Sequence, residues 1–221
     1  MYDLHNFILT RNESQARFLE KFGIKGVTVI CENSFDFAAF KKLKERYQNF
    51  DLISAVEITG EKGGIKKAID KFRNNVDLII VNASDTNAMR AASENNSVDF
   101  ISHAFVDQIA AHNCAQNGIA LGIDITDFLD AYGTRRAVLI SKLQFNLGLV
   151  RKYKIPIIIT TGAQNVYGLR NPMQLIAFAE TLGFKHDEAV RAVMKTPFEI
   201  VKRNRDKKRG IEVEEGVRLV K

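Results

Sequence analysis

The sequence predicts an α/β fold: a small or distorted TIM-like (β/α) barrel with about seven parallel strands. Short apolar runs recur roughly every twenty-five residues, and each leads into a helical stretch. The runs are near-continuous rather than alternating, as in Asp77-Leu78-Ile79-Ile80-Val81, which suits parallel strands covered on both faces. At 221 residues and 46% hydrophobic, the chain can bury one large core, and nothing in it suggests a second, so residues 1–221 read as one domain. A full eightfold barrel takes about 250 residues, which is why seven strands are expected here. The same βα units could instead open into a doubly wound sheet. No Gly-x-Gly-x-x-Gly follows the first strand and no Walker-type loop occurs, so dinucleotide and nucleoside triphosphate binding lose their main support.

Strands are expected to begin near Tyr2, Gly26, Asp51, Asp77, Asp99, Ile119 and Pro156. Gly23, Gly118 and Gly183 each follow a helical stretch, where a left-handed cap favours a residue without Cβ. The long gap before Pro156 holds a helix over 134–153, since Leu139, Leu143, Leu147 and Val150 step along one face. Asn171-Pro172 reads as an N-cap followed by Pro at the first helical position, with Leu175, Ala179 and Leu182 facing inward. Thr196-Pro197-Phe198-Glu199 is expected to repeat that device as a capping box. Beyond Gly183 the chain reads as a basic helical end over about 186–209, then a short tail with no clear eighth strand before Ile211.

Lys and Arg number 32 against 26 acids, a net charge of +6, and Lys202 to Arg209 holds six bases and one acid. Such a patch favours phosphate-rich partners through counterion release, although a solvated helix end explains the same charge. The longest apolar stretches, Leu78 to Val81 and Ile155 to Ile159, are far shorter than the roughly 20 residues that cross a bilayer. No membrane partner is expected. The start, Met1-Tyr2-Asp3-Leu4-His5, lacks the basic region and apolar core of a secretory signal, so Asn12, Asn82 and Asn95 are read as chance glycosylation motifs. Cys31 and Cys114 have no partner at a metal or redox spacing, which fits inert thiols in a reducing cytoplasm. Sixteen Asn residues argue against a hyperthermophilic source.

In a barrel, function gathers where strands end. Those positions hold His5 and Asn6, Glu32 and Asn33, Glu57 and Thr59, Asn82 and Ser84, Ser102 and His103, Asp124 and Thr126, then Thr160 to Asn165. Asp3-Leu4-His5-Asn6-Phe7 resembles the opening motif of the polymerase and histidinol phosphatase family of metal-dependent phosphoesterases, but Phe7 stands where that family has a second histidine. The family's late Ser-Asp-Ala-His is replaced by Thr161-Gly162-Ala163-Gln164. Gly162 offers no ligand and Gln164 a poor one. His5, Glu57, His103, Gln164 and Asn165 are therefore read as a hydrogen-bonded polar mouth, a vestigial site to which no metal is assigned. Asp124 and Asp127 show no recognisable acid and base arrangement, and His112 and His186 read as structural or exposed.

Several segments, in order, resemble the ribonuclease P protein component 3 family. They are Val98-Asp99-Phe100-Ile101-Ser102-His103, Asn117-Gly118-Ile119-Ala120-Leu121, Arg135-Arg136, Tyr153-Lys154-Ile155-Pro156, Thr160-Thr161-Gly162-Ala163 and Leu169-Arg170-Asn171-Pro172. With Asp3-Leu4-His5 and Thr196-Pro197 the resemblance spans nearly the whole chain; Thr160-Thr161 stands where serines are expected. The resemblance implies a barrel related to the phosphoesterases above with an eroded metal site. It implies a cytoplasmic archaeal or eukaryotic protein subunit of a ribonucleoprotein endonuclease that removes the 5′ leader from precursor tRNA. The RNA of that enzyme holds the catalytic Mg2+, and the protein stabilises its fold. A small ferredoxin-like protein subunit is the implied partner, with a heterotetramer of two such pairs. The isolated chain is not expected to be catalytic; a metal-dependent phosphoesterase is the alternative. RNA-binding candidates are Arg90, Arg135, Arg136, Lys142, Arg170, Lys202, Arg203 and Arg205, because guanidinium forks and ammonium groups suit phosphate oxygens.

Overall fold

The computed structural model describes residues 1–7, 9, 16–32, 34–35, 37–60, 62–83, 85–102, 105–210, 212–214 and 217–218. Seven parallel strands lie in sequence order: β1 Tyr2–Asp3, β2 Gly26–Glu32, β3 Asp51–Thr59, β4 Leu78–Asn82, β5 Phe100–Ser102, β6 Ala120–Asp124 and β7 Ile157–Thr160. All seven begin within one residue of the starts expected from the apolar runs. The crossovers carry α1 Arg17–Lys21, α2 Phe37–Arg46, α3 Lys62–Phe72, α4 Thr86–Ser93, α5 Gln108–Gln116, α6 Ile125–Asp130 and α7 Gly133–Tyr153. After β7 come α8 Pro172–Thr181, α9 His186–Val190 and α10 Thr196–Lys208. A short antiparallel pair, β8 Glu212–Glu214 with β9 Val217–Arg218, follows outside the main sheet.

Two apolar layers hold the sheet. Inside the barrel, Leu4, Ile30, Ile53, Ala55, Leu78, Ile80, Phe100, Ala120 and Ile158 pack together, and the two-residue period within β3 and β4 sends alternate side chains inward. Gly122 would be the next inward position on β6, and a Cβ there would meet the Phe100 ring at 3.0 Å. The ring fills the space that glycine leaves, so truncating Phe100 to Ala is expected to cost about 3–5 kcal/mol. The outer layer joins the opposite strand face to the helices, including Leu143 and Leu147 of α7 and Leu175 and Ala179 of α8. Cys114 is fully enclosed there, and burial pushes its thiol up to about 12, so it stays protonated and inert at neutral pH.

The sheet's two ends, β1 and β7, are closed by the segments that follow them. Phe7 donates its backbone N–H to Ala163 O at 2.9 Å, and Gly162 donates to His5 O at 3.0 Å. Asp3 then spans the seam by accepting from the Thr161 N–H at 3.0 Å and the Thr161 hydroxyl at 2.6 Å. Seven strands therefore make a nearly closed barrel without an eighth.

The glycine caps fall where expected, with Gly23, Gly118 and Gly183 at φ of +71°, +62° and +100°. Asn171 caps α8 as a full capping box with Gln174, at 2.9 Å in both directions. The Thr196 expectation fails. Thr196 is buried with helical backbone angles, because the chain runs from α9 through a π-helical segment, Arg191–Lys195, straight into α10. The helix start lies earlier, where Lys185 N–H donates to Glu188 Oε2 at 2.9 Å. Proline at the start of α10 breaks no bond that a wider turn has not already released.

Helix α10 plugs the barrel's N-terminal end. Ile200 and Val201 enter the inner apolar cluster. Around them Arg205 Nη1 donates to both oxygens of Asp51 at 2.9 and 2.8 Å, and its Nη2 donates to Leu52 O at 3.0 Å. Asn204 donates to Asp99 at 2.7 Å, and Arg73 reaches the same carboxylate at 2.6 Å. Three aspartates that open β3, or immediately precede β4 and β5, thus anchor the basic helix from below.

Candidate functional site

The opposite end of the barrel carries the polar mouth. His5 lies at the end of β1 with Nδ1 2.6 Å from Asp124 Oδ2 and Nε2 3.4 Å from Glu57 Oε1. All three side chains are buried. Burial alone would pull the imidazole down; the neighbouring Asp124 charge, its hydrogen bond and Glu57 outweigh that and raise it to about 10. His5 is therefore an imidazolium at neutral pH. Glu57 is pushed up by burial, but the His5 contact and the 3.1 Å bond from Asn82 hold it below its ordinary value. Thr160 donates its hydroxyl to the other oxygen of Asp124. Asn6 donates to Asp3 at 2.8 Å, and burial holds the Asp3 carboxyl above its ordinary value despite these bonds.

The expected mouth is thus brought together only in part. His5 and Glu57 meet, whereas Gln164 and Asn165 are exposed. Asn165 caps a short 3-10 turn by accepting from Tyr167 N–H at 3.0 Å. His103, Asn33 and Ser84 lie outside the described residues. Asp124 was missed as a partner of His5, since 119 residues separate them and no local spacing marks the pair. Of the two other histidines, His112 is mid-helix beside the Tyr153 ring, and exposed His186 meets Glu180 at 2.7 Å.

These residues do not fit a phosphoesterase metal cluster. Phe7 is buried with its ring edge-on to His5 at 5.0 Å, filling the place of an imidazole. Gly162 sits at φ +61°, and a Cβ there would overlap Thr126 Oγ1 and lie 2.9 Å from Asp124 Cβ. An aspartate at this position would require the mouth to move. Among the described residues, the mouth carboxylates Asp3, Glu57 and Asp124 are engaged with His5, Thr160, Thr161 and Asn82.

The basic candidates divide by environment. Arg90 forks onto Asp107 at 3.0 and 2.7 Å, and Asp107 also caps α5. Arg136 donates to Ala131 O and Leu129 O, and Arg170 to Tyr167 O and Leu169 O. Lys142 stands 5.1 Å over the Phe105 ring, and exposed Arg135 lines a cavity of about 230 Å³ with Asp127 and Asp130. Arg203 and Arg205 are half-buried and turned toward the barrel floor. Exposed Lys202 lines a groove of about 1090 Å³ between α7 and the α9–α10 helix, with Lys154, Arg191 and Lys195 on its walls.

A seven-stranded (β/α) barrel with a phosphoesterase-like opening and its ligand positions occupied by Phe7 and Gly162 defines a barrel that keeps the phosphoesterase frame without that family's ligand set. The chain belongs to the RNase P subunit p30 family, whose model matches residues 2–209. It is 34% identical to Ribonuclease P protein component 3 of Methanosarcina mazei, over 88% of this chain and 85% of that one. The corresponding Methanosarcina acetivorans protein is 33% identical over 92% of this chain and 90% of its own length. The fold matches a chain of archaeal ribonuclease P with mature tRNA, solved by cryo-EM, with a TM-score of 0.86 at 24% identity. The match covers 100% of this chain and 98% of that chain.

Proposed function

We propose that this chain is a protein subunit of ribonuclease P that supports removal of the 5′ leader from precursor tRNA by stabilising the catalytic RNA. One observation carries the reading: His5, Asp124, Glu57, Asp3, Thr160 and Thr161 bond to one another or to their neighbours at the barrel mouth. That arrangement fixes the fold and leaves the phosphoester chemistry to Mg2+ ions held by the RNA. Family membership and the likeness to a chain of archaeal ribonuclease P with tRNA support RNA and tRNA as partners. A single barrel domain acts in the cytoplasm, paired with a small ferredoxin-like protein subunit and doubled into a heterotetramer. Among the described residues no helix is long and apolar enough to cross a membrane.

The protein's part is electrostatic. Exposed bases such as Lys202 meet RNA phosphates and release counterions, which gives affinity without sequence specificity. The test is to recover the tagged chain from its native cells at low salt and sequence the bound RNA. The expected result is ribonuclease P RNA with a second small protein subunit; recovery free of that RNA contradicts the reading.

A further inference from the structure

Helix α7 buries one apolar face and exposes two large apolar side chains, Val138 and Phe145, seven residues apart on the other. Leu143 and Leu147 are buried in the barrel's outer layer, with Leu139 and Val150 half-buried beside them. On the far side Thr134, Val138, Ser141, Phe145, Gly148 and Lys152 follow one another at alternating steps of four and three, and all are exposed. That is the 3.5-residue period of a coiled-coil seam. Phe145 is 67% exposed and Val138 46%, while Ser141 and Gly148 between and after them leave room for close approach.

The patch extends beyond the seam. Of the eleven large apolar side chains exposed among the described residues, six lie on α7 or beside it: Phe105, Ile109, Leu129, Tyr132, Val138 and Phe145. Apolar side chains grouped this way mark an interaction surface. Helix α7 also carries five bases and no acid. Two copies of this face would set Arg135, Lys142 and Lys152 against their equivalents, which disfavours self-association. Phosphate would satisfy the bases but leave the apolar seam wet.

We infer that the outer face of α7 docks an acidic amphipathic helix from a partner protein subunit, with Val138 and Phe145 as knobs and Arg135 and Lys142 flanking them. The inference rests on the ribonucleoprotein reading and goes past it by assigning a protein partner, rather than RNA, to this surface. Charge complementarity selects the occupant: an acid-free basic helix with an apolar seam pairs with a helix that is apolar on one stripe and acidic beside it.

The test is Phe145→p-benzoylphenylalanine in the enzyme reconstituted from ribonuclease P RNA and all protein subunits, irradiated after assembly. The expected product is a crosslink to a helical, net-acidic segment of another protein subunit. A crosslink to RNA, a crosslink to a second copy, or no crosslink in a cleaving complex overturns the docking assignment alone. If cleavage does not depend on adding this chain, the ribonucleoprotein reading fails and the docking assignment falls with it. The paired variant Val138→Asp/Phe145→Asp is expected to weaken association with that subunit at least about tenfold at an unchanged melting temperature; unchanged association contradicts the assignment. Lys142→Glu should weaken it further as salt is lowered.

Discussion

Asp3 holds Thr161 across the open edge of the sheet, one carboxylate oxygen accepting the backbone N–H at 3.0 Å and the other the hydroxyl at 2.6 Å. Both residues are buried, and they join the first strand to the segment after the last one. Where an eightfold barrel would close with another strand, the described residues close it with side-chain bonds from Asp3 and Asn6 to Thr161 and from His5 to Asp124, together with two backbone hydrogen bonds.

Asp3→Ala is therefore expected to destabilise the fold by about 3 kcal/mol or more, since it removes three buried hydrogen bonds to a carboxylate and strands their donors. Urea unfolding measures this directly. The same substitution at exposed Asp187 serves as the control and should change stability by less than about 0.5 kcal/mol.

The pH dependence follows from His5. Its imidazole is raised from 6.5 to about 10, so its contribution is fully present below pH 6.5 and is lost as pH climbs through 10. Glu57 is lowered from 4.5, so its contribution is present above that value and fades as pH falls through its folded pKa. Thermal melts from pH 6 to 10.5 should show an alkaline decline that His5→Gln flattens. An identical decline in the variant would assign it to other groups.

Restoring an acid at the vestigial site should cost stability rather than create activity. Gly162→Asp places a side chain where Cβ alone meets Thr126 and Asp124, at a positive φ that L residues rarely adopt. A loss of about 1–3 kcal/mol is expected from the backbone conformation, with more from the clash. Calorimetry of the variant, followed by a phosphoesterase assay with added Mn2+, checks both halves; robust turnover would show that the mouth tolerates a metal cluster after all.

Two bases from one short run should behave oppositely. Arg205→Ala removes the paired bonds to Asp51 and is expected to lower stability by about 1.5–3 kcal/mol. Lys202→Ala should leave stability unchanged while reducing the salt slope of RNA binding by about 1. Paired denaturation and salt-titrated binding curves distinguish the two roles.

That contrast marks where the sequence stops being legible. The seven strand starts were readable because strands buried on both faces leave continuous apolar runs, and the glycine caps because positive φ demands them. The run from Lys202 to Arg209 showed its charge but not its direction. The available clue was that Asp51, Asp77 and Asp99 each stand where a strand begins, placing three acids at one end of the barrel to meet a basic helix. Thr196 looked like a cap because Thr-x-x-Glu is a local signal, and a π-helical turn overrode it by carrying the helix through. His5 follows β1 and Asp124 ends β6, five strands apart in the sheet order, so only barrel closure brings them together.

The most direct test of a scaffold whose chemistry lies in the RNA is single-turnover cleavage of precursor tRNA by the reconstituted enzyme. It is measured at saturating Mg2+ and protein with this chain, without it, and with Asp124→Asn. Omission is expected to slow cleavage, while the folded Asp124→Asn subunit sustains the full rate. Unchanged cleavage on omission, or loss of cleavage by an assembled enzyme carrying folded Asp124→Asn, would contradict the scaffold role.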